Sequence, residues 1–285
     1  MKRIHLAFKS YDAHELLCHA IAAATDLYRA ADLSVTLLDA TFVPEDALPD
    51  NSFQSACSSA LIGYLRGQSH KIVFTACDKP MFWLYGRPGI DSLAQLQQAR
   101  VATFPDAAAP ARLLQRFLAD AGVAPGLLPS RDDTARLALV SSGSVDAALL
   151  GALYLPHVVR ERGVRQLAWI GATLRLPSTG LAVSGELYAR EPGLVAQMVD
   201  IYQRSLQYVY DSDESVLRCV LTDAFAVRAH ELDQAVATIR ECYNERGYSQ
   251  DSLLRAALDG VASGMGLRAR PAEDLFEFDT IKSNY

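Results

Sequence analysis

Residues 79–122, KPMFWLYGRPGIDSLAQLQQARVATFPDAAAPARLLQRFLADAG, decide how the rest of the chain is interpreted. The apolar and aromatic run at 81–85 predicts a strand, and Pro88-Gly89 breaks it. A second buried strand is predicted at 101–104, followed by a helix over 107–120 whose apolar residues keep helical spacing. This alternation of strands and helices is typical of an open α/β sheet.

The turn between the second strand and the long helix is the first candidate binding site. It contains Thr103, Phe104, Asp106, Ala107 and Ala108. A helix N-terminus leaves backbone N–H groups unpaired, and small anions bind at such positions in open α/β sheets. The alternative is an ordinary strand-to-helix turn with no ligand.

The order of elements around this stretch resembles a known fold. An apolar strand, a charged break, Asp91-Ser92-Leu93, a short strand, a turn and a long helix are arranged as in the second lobe of the type II periplasmic-binding-protein fold. The nitrate/sulfonate/taurine-binding and thiamine-pyrimidine-synthase-like branch is the most similar. The resemblance implies an α/β fold with two lobes, the first from residues 1–77 and 181–285 and the second from 78–180. The helical patterns after residue 185 predict a helical C-terminal tail.

The resemblance implies that several strand-to-helix turns and two crossovers face one ligand cleft between the lobes. The remaining candidate ligand-binding residues are Lys9, Ser10, Tyr11, Asp12, Cys57, Ser58, Ser59, Cys77, Trp83, Gly151, Tyr154, Ser178 and Thr179. Hydroxyl and N–H groups at helix starts suit the acid head of a carboxylate, sulfonate or phosphate. Phe82, Trp83, Tyr85 and Phe104 suit an apolar or aromatic body, or else fill the core.

Two residues are candidates for catalysis. Cys57 comes directly before a predicted helix, where the helix dipole lowers the pKa of a thiol and favours a nucleophile. His14 is the candidate proton carrier or ligand contact. The alternative for Cys57 is a small residue that packs where two strands and a helix meet. The cysteine-rich signature of the thiamine-pyrimidine synthases is absent.

The sequence HELLCH at residues 14–19 resembles the zincin HExxH motif only at its start, because position 18 is Cys. His14 and Cys18 share one helix face, and Glu15 and His19 share the neighbouring face. Neither pair has a third ligand with convincing spacing. We therefore expect no metal site, and nothing in the sequence predicts a cofactor.

Composition excludes several classes of protein. The chain has 285 residues, a formal net charge of -6 and a pI near 5.5, so nucleic acid is not expected as a partner. No stretch approaches the roughly 20 apolar residues of a membrane span, so we expect no membrane insertion. The N-terminal residues do not match the pattern of a signal peptide, so we expect none in the sequence as written. The expected location is cytoplasmic for the sequence as written, and periplasmic if a leader has been removed.

Three interpretations of function follow. The first is reversible binding of a small organic, anionic ligand by the solute-binding component of an ABC importer, with an ABC permease as partner. The second is a cytoplasmic enzyme on the same fold, such as a decarboxylase, isomerase or synthase that uses Cys57 or His14. The third is a cytoplasmic sensor or interaction module. The sequence does not identify the ligand.

Overall fold

The computed structural model describes residues 1–106, 108–130 and 132–282. Ala107, which the sequence predicts as a ligand-binding residue, therefore lies outside the described residues. The chain divides into two compact units. The first unit contains Met1–Asp78 and the chain from Leu176 onward, and the second unit contains Lys79–Arg175.

Each unit is built on its own β-sheet. The strands, numbered along the chain, are β1 (Lys2–Phe8), β2 (Leu33–Asp39), β3 (Ser52–Gln54), β4 (His70–Cys77), β5 (Trp83–Gly86), β6 (Arg100–Thr103), β7 (Gly126–Pro129), β8 (Ala147–Leu150), β9 (Arg165–Trp169) and β10 (Thr179–Ser184). The sheet of the first unit has the order β2-β1-β3-β10-β4, and that of the second unit has the order β7-β6-β8-β5-β9.

The strands of the first unit bring several loops to one edge. β1 pairs in parallel with β2 and β3, whereas β10 pairs antiparallel with β3 and β4. The carboxyl ends of β1, β2, β3 and β4 therefore lie beside the amino end of β10. In open α/β sheets this is the edge at which ligands bind.

The sheet of the second unit has the same arrangement. β6 pairs in parallel with β7 and β8, and β5 runs antiparallel to β8 and β9. The carboxyl ends of β6 and β8 therefore meet the amino end of β5. The strands at the centre of this sheet are buried along almost their whole length, as expected for strands covered on both faces.

Helices follow most of the strands. They are α1 (Ala13–Ala24), α2 (Leu27–Ala30), α3 (Cys57–Leu65), α4 (Ala109–Asp120), α5 (Asp133–Ser141), α6 (Pro156–Arg160), α7 (Ile170–Thr173), α8 (Gly185–Arg190), α9 (Pro192–Tyr210), α10 (Ser215–Phe225), α11 (Leu232–Cys242), α12 (Asp251–Gly264) and α13 (Asp279–Lys282). The helical C-terminal region that the sequence predicts is present. In the described part of the chain, none of the helices combines the length and the apolar character that crossing a bilayer requires.

Two local features show how single residues set these bounds. The sequence pattern predicts one helix over 13–30, but α1 ends at Ala24 and a separate turn begins at Leu27. Asp26 has a left-handed backbone with φ of 57°, which an uninterrupted α-helix cannot contain. In the second unit, Gly122 has φ of 68° just after α4 and ends that helix as a glycine C-cap does.

Candidate functional site

The β1–α1 turn of the first unit already contains an anion of its own. Asp12 caps α1, and its Oδ1 accepts hydrogen bonds from the backbone N–H groups of His14 and Glu15 at 2.9 and 3.1 Å. Its Oδ2 accepts from Ser10 Oγ at 2.8 Å. Lys9 Nζ donates to the backbone carbonyls of Ala40 and Val43. The donors at this helix start are therefore used by the chain itself.

Glu15 is a second carboxyl group at this turn, and the sequence did not predict it as a ligand contact. Its Oε2 accepts from Lys9 N at 2.9 Å and from Ser55 Oγ at 2.8 Å. Burial, helped by the charge of Asp12, raises its pKa to about 8, although these hydrogen bonds act in the opposite direction. The side chain is therefore mostly a neutral carboxylic acid at pH 7.

His14 and the amino end of β10 form a buried hydrogen-bonded group. His14 Nε2 lies 2.5 Å from Ser178 Oγ, and Thr179 Oγ1 donates to the backbone carbonyl of His14 at 2.7 Å. Tyr243 OH, from the helical C-terminal region, donates to the backbone carbonyl of Ala13 at 2.6 Å. Burial lowers the pKa of His14 to about 3, so its imidazole is neutral over the physiological range.

Cys57 differs from the sequence-based expectation. It is the first residue of α3, but its side chain is fully buried and its Sγ lies 3.6 Å from the backbone carbonyl oxygen of Phe74. Burial raises the pKa of the thiol, and the nearby carboxyl of Glu15 acts in the same direction. The expectation of a lowered thiol pKa is wrong, because the cost of desolvating a thiolate exceeds the effect of the helix dipole here.

The two serines after Cys57 offer accessible donors in the first unit. Ser58 and Ser59 are half-buried in the first turn of α3, and their hydroxyls form no hydrogen bond with any described residue. The backbone N–H groups of the same turn are already used, since Ser58 N donates to the carbonyl of Ser178. A ligand at this turn would therefore meet two hydroxyls rather than open backbone amides.

Two other predicted contacts of the first unit have different surroundings. Tyr11 is 52% exposed, and its ring packs edge-on against Phe8 with ring centroids 5.8 Å apart. Phe225 packs on the same tyrosine at 6.2 Å. Cys77 is fully buried at the carboxyl end of β4, and its Sγ lies 3.2 Å from the carbonyl oxygen of Cys242. Tyr11 is therefore open to solvent, and Cys77 is not.

The β6–α4 turn of the second unit offers donors that the chain does not use. Thr103 ends β6, is fully buried, and its Oγ1 has no hydrogen-bond partner among the described residues. α4 has no side-chain cap and no acidic residue in its first turn. Within the same turn, Ala108 is half-buried and its N–H donates to the carbonyl of Pro105, while Asp106 is exposed.

Arg112 adds a positive charge to this turn. It is the fourth residue of α4, is half-buried, and its buried Nε has no hydrogen-bond partner among the described residues. Over the ranges that the structure describes, the side chain of Arg112 forms no ion pair or hydrogen bond. A cation in the first turn of a helix is opposed by the helix dipole. An anion bound at this turn would satisfy both the dipole and the guanidinium.

A second arginine of this unit is buried beneath an aromatic ring. Arg136 is fully buried, pairs with Asp133, and its Nε donates to the carbonyl of Leu149 at 2.9 Å. Its guanidinium carbon lies 3.6 Å from the ring centroid of Phe104. Burial raises the pKa of Asp133 and lowers that of Arg136, and each charge opposes the shift of its partner. The pair is a structural support for Phe104.

The other predicted contacts of the second unit surround this support. Gly151 is buried, and its N–H donates to Asp133 Oδ1 at 3.3 Å. Tyr154 is half-buried, and its OH lies 2.8 Å from Thr134 Oγ1. Trp83 is buried and stacks on Trp169 with centroids 6.3 Å apart, so its ring belongs to the core of the unit.

The structure thus brings the predicted residues together in two groups, one at the sheet edge of each unit. The first-unit group comes from the ends of β1, β3 and β4 and the start of β10. The second-unit group comes from the ends of β6 and β8. The sequence patterns did not predict Glu15, Arg112, Asp133 and Arg136 as parts of these groups. Arg112 alone had a detectable signal, since it is a cation in the first turn of a predicted helix.

Comparisons with known proteins identify the fold of the chain. No protein-family model matches the sequence, and no curated protein matches it. Solved structures do match. The alkanesulfonate-binding protein SsuA from Xanthomonas axonopodis pv. citri, bound to MOPS, has a TM-score of 0.77 and 14% identity over 97% of this chain and 99% of its own. A ligand-binding component of an ABC-type import system from Staphylococcus aureus, with zinc bound, has a TM-score of 0.77 and 14% identity over 100% and 99%.

An enzyme is also similar. A variant of the desulfurization enzyme DszB in complex with biphenyl-2-sulfinic acid has a TM-score of 0.71 and 17% identity over 99% of this chain and 98% of its own. At these identities the comparisons establish the fold alone. The chain has the type II periplasmic-binding-protein fold, and the α/β prediction from the sequence is confirmed.

Proposed function

We propose that the protein reversibly binds a small organic acid whose anionic head is held at the β6–α4 turn of the second unit. The observation that carries the proposal is Arg112, a half-buried cation without a counter-ion among the residues described. A guanidinium presents a planar set of donors that matches a carboxylate or sulfonate. Thr103 supplies a further unused hydroxyl in the same strand-to-helix connection.

The turns of the first unit are less suited to an anionic head, which supports its placement at the β6–α4 turn. The start of α1 is occupied by the carboxylate of Asp12, so a second anion there would be repelled. The start of α3 offers the hydroxyls of Ser58 and Ser59, which suit acceptor atoms without requiring a full charge. The bridging of both units by one ligand remains a prediction of the sequence.

The similar structures are consistent with an acid ligand. One is named an alkanesulfonate-binding protein, and another is in complex with a sulfinic acid. By analogy with the Staphylococcus aureus neighbour, which is a component of an ABC-type import system, we propose an ABC permease as partner. Catalysis through Cys57 is not part of the proposal, because its thiol is buried and its pKa is raised.

A ligand screen with paired compounds tests this proposal. Thermal unfolding of the protein is measured with benzoate, benzenesulfonate, hexanoate and hexanesulfonate, and with the neutral amide of each. The acids are expected to raise the Tm and the amides are not, because only the acids carry a negative charge that can pair with the guanidinium of Arg112. At a hundredfold excess over Kd the stabilisation is about 2.7 kcal/mol, which a thermal scan detects.

Mass spectrometry after incubation separates binding from catalysis. We expect each stabilising acid to be recovered unchanged. Equal stabilisation by acid and amide would contradict an anionic head, and no stabilisation by any acid would contradict the proposed function. Consumption of a bound acid would contradict reversible binding and favour an enzyme.

A further inference from the structure

A pair of half-buried aromatic rings lies beside the proposed acid site in the second unit. Phe82 directly precedes β5, and Phe104 directly follows β6. Their centroids are 5.6 Å apart with the rings at 74°, an edge-to-face arrangement. Neither ring is enclosed, although both stand among buried residues such as Trp83 and Thr103. We name Phe82 and Phe104 the aromatic platform.

The guanidinium of a buried arginine supports the aromatic platform. Arg136 stacks its guanidinium on Phe104, with 3.6 Å between the guanidinium carbon and the ring centroid. Arg136 is itself fixed by Asp133 and by the carbonyls of Leu149 and Ser130. A ring held in this way loses little conformational freedom when a ligand arrives, and such preorganisation favours binding.

The backbone approaches the platform from β8. Gly151 follows β8, and a methyl group at its Cα would lie 3.7 Å from Phe82 Cε1 and 3.8 Å from Phe104 Cζ. The same methyl would lie 3.1 Å from Asp133 Oδ2, which is tighter than ordinary contact. The glycine therefore keeps the two rings, the carboxylate and the end of β8 in one close cluster.

We propose that the aromatic platform is the subsite for the body of the ligand, and that the ligand is an aromatic acid. The proposal rests on the function proposed above, because the acid head at Arg112 brings the ligand to this edge of the sheet. Both Arg112 and Phe104 belong to the β6–α4 connection and its helix. Both rings are half-buried, so a third ring can pack on the surface that they leave exposed, and aromatic pairs exceed the attraction of surface burial alone.

Matched pairs of acids test the proposal by calorimetric titration of the full chain. The pairs are benzoate with cyclohexanecarboxylate and benzenesulfonate with cyclohexanesulfonate. Each pair shares its head group and its six-carbon ring, and the saturated ring is at least as hydrophobic. An aromatic subsite is therefore expected to bind the aromatic member about 3- to 10-fold more tightly, whereas a merely apolar one would not.

Three variants locate the preference. Phe104→Leu and Phe82→Leu are each expected to remove most of the aromatic preference while changing the Kd of the cyclohexane acids less. The control is Phe276→Leu, which replaces a ring of the first unit that stacks on Phe278. Two platform variants are used so that a folding defect in one does not prevent the test.

The outcomes separate the two proposals. Equal affinity within each pair overturns the aromatic subsite and leaves the acid-binding function standing, as does a preference that survives in both platform variants. Absence of binding by all four acids overturns the aromatic subsite, and it overturns the acid-binding function as well when hexanoate and hexanesulfonate also fail to bind. An aromatic preference that Phe276→Leu retains and the platform variants lose is the expected result.

Discussion

Replacing Arg136 by methionine is expected to lower the free energy of unfolding of the second unit by about 3 to 5 kcal/mol. The change leaves the carboxyl group of Asp133 buried without its counter-charge. It also removes the donor to the carbonyl of Leu149 and the stacking on Phe104. A buried ion pair need not be stabilising as a whole, but removing one partner exposes the full desolvation cost of the other.

The two tryptophans of the chain make this measurement specific to the second unit. Trp83 and Trp169 both lie in that unit, so urea unfolding followed by tryptophan fluorescence reports it directly. The control is Arg116→Met, which breaks an exposed pair with Asp120 and is expected to cost less than about 1 kcal/mol. An Arg136→Met loss no larger than that of the control would contradict the structural role of the pair.

The second large effect is the pH dependence of Glu15. Its pKa in the folded protein is raised to about 8 from an ordinary value of 4.5. Between these values the folded state holds a proton that the unfolded state has lost. The free energy of unfolding therefore falls as the pH rises through this window, and the loss is complete above pH 8. For this half-buried group we expect a total on the order of 3 kcal/mol.

Glu15→Gln removes this titration with little change of shape. The amide oxygen of glutamine can still accept from Lys9 N and Ser55 Oγ. We expect the variant to match the parent near pH 5 and to be more stable at pH 8 to 9, as measured by urea unfolding followed by circular dichroism. The exposed Glu186, changed to glutamine, is the control in the same unit. Parallel pH profiles for Glu15→Gln and the parent would show that the carboxyl is ionised in the folded state.

The sequence predicted the features that depend on local pattern. The helical C-terminal tail predicted after residue 185 includes α9, whose apolar stripe has a clear helical period and whose first residue is Pro192. The strand-to-helix turn after Thr103 was also predicted correctly, because the apolar residues of the following helix keep helical spacing. The helix α4 begins two residues later than predicted. Such features are set by neighbours in the chain, which a sequence pattern records directly.

The features that the sequence did not predict depend on contacts across elements. The dipole at the start of α3 favours an ionised Cys57, but the strands packed around it remove water and reverse the direction of the pKa shift. Arg136 reads as one more charged residue on a helix, and only the fold shows that Asp133 and the ring of Phe104 surround it. The pKa of Cys57 and the role of Arg136 depend on burial and on contacts with other elements, and the spacing of residues in the sequence predicts neither.

The most direct test of the account is the affinity of Arg112→Gln for the acid that binds best in the paired screen. Because a hydrogen bond to a charged group contributes about 1.5 to 3 kcal/mol, the Kd measured by calorimetry is expected to rise about 10- to 150-fold. The control is Arg116→Gln, one turn further along α4, whose guanidinium pairs with Asp120 and should leave the Kd unchanged. Equal affinities for Arg112→Gln and Arg116→Gln would contradict an acid head at the start of α4.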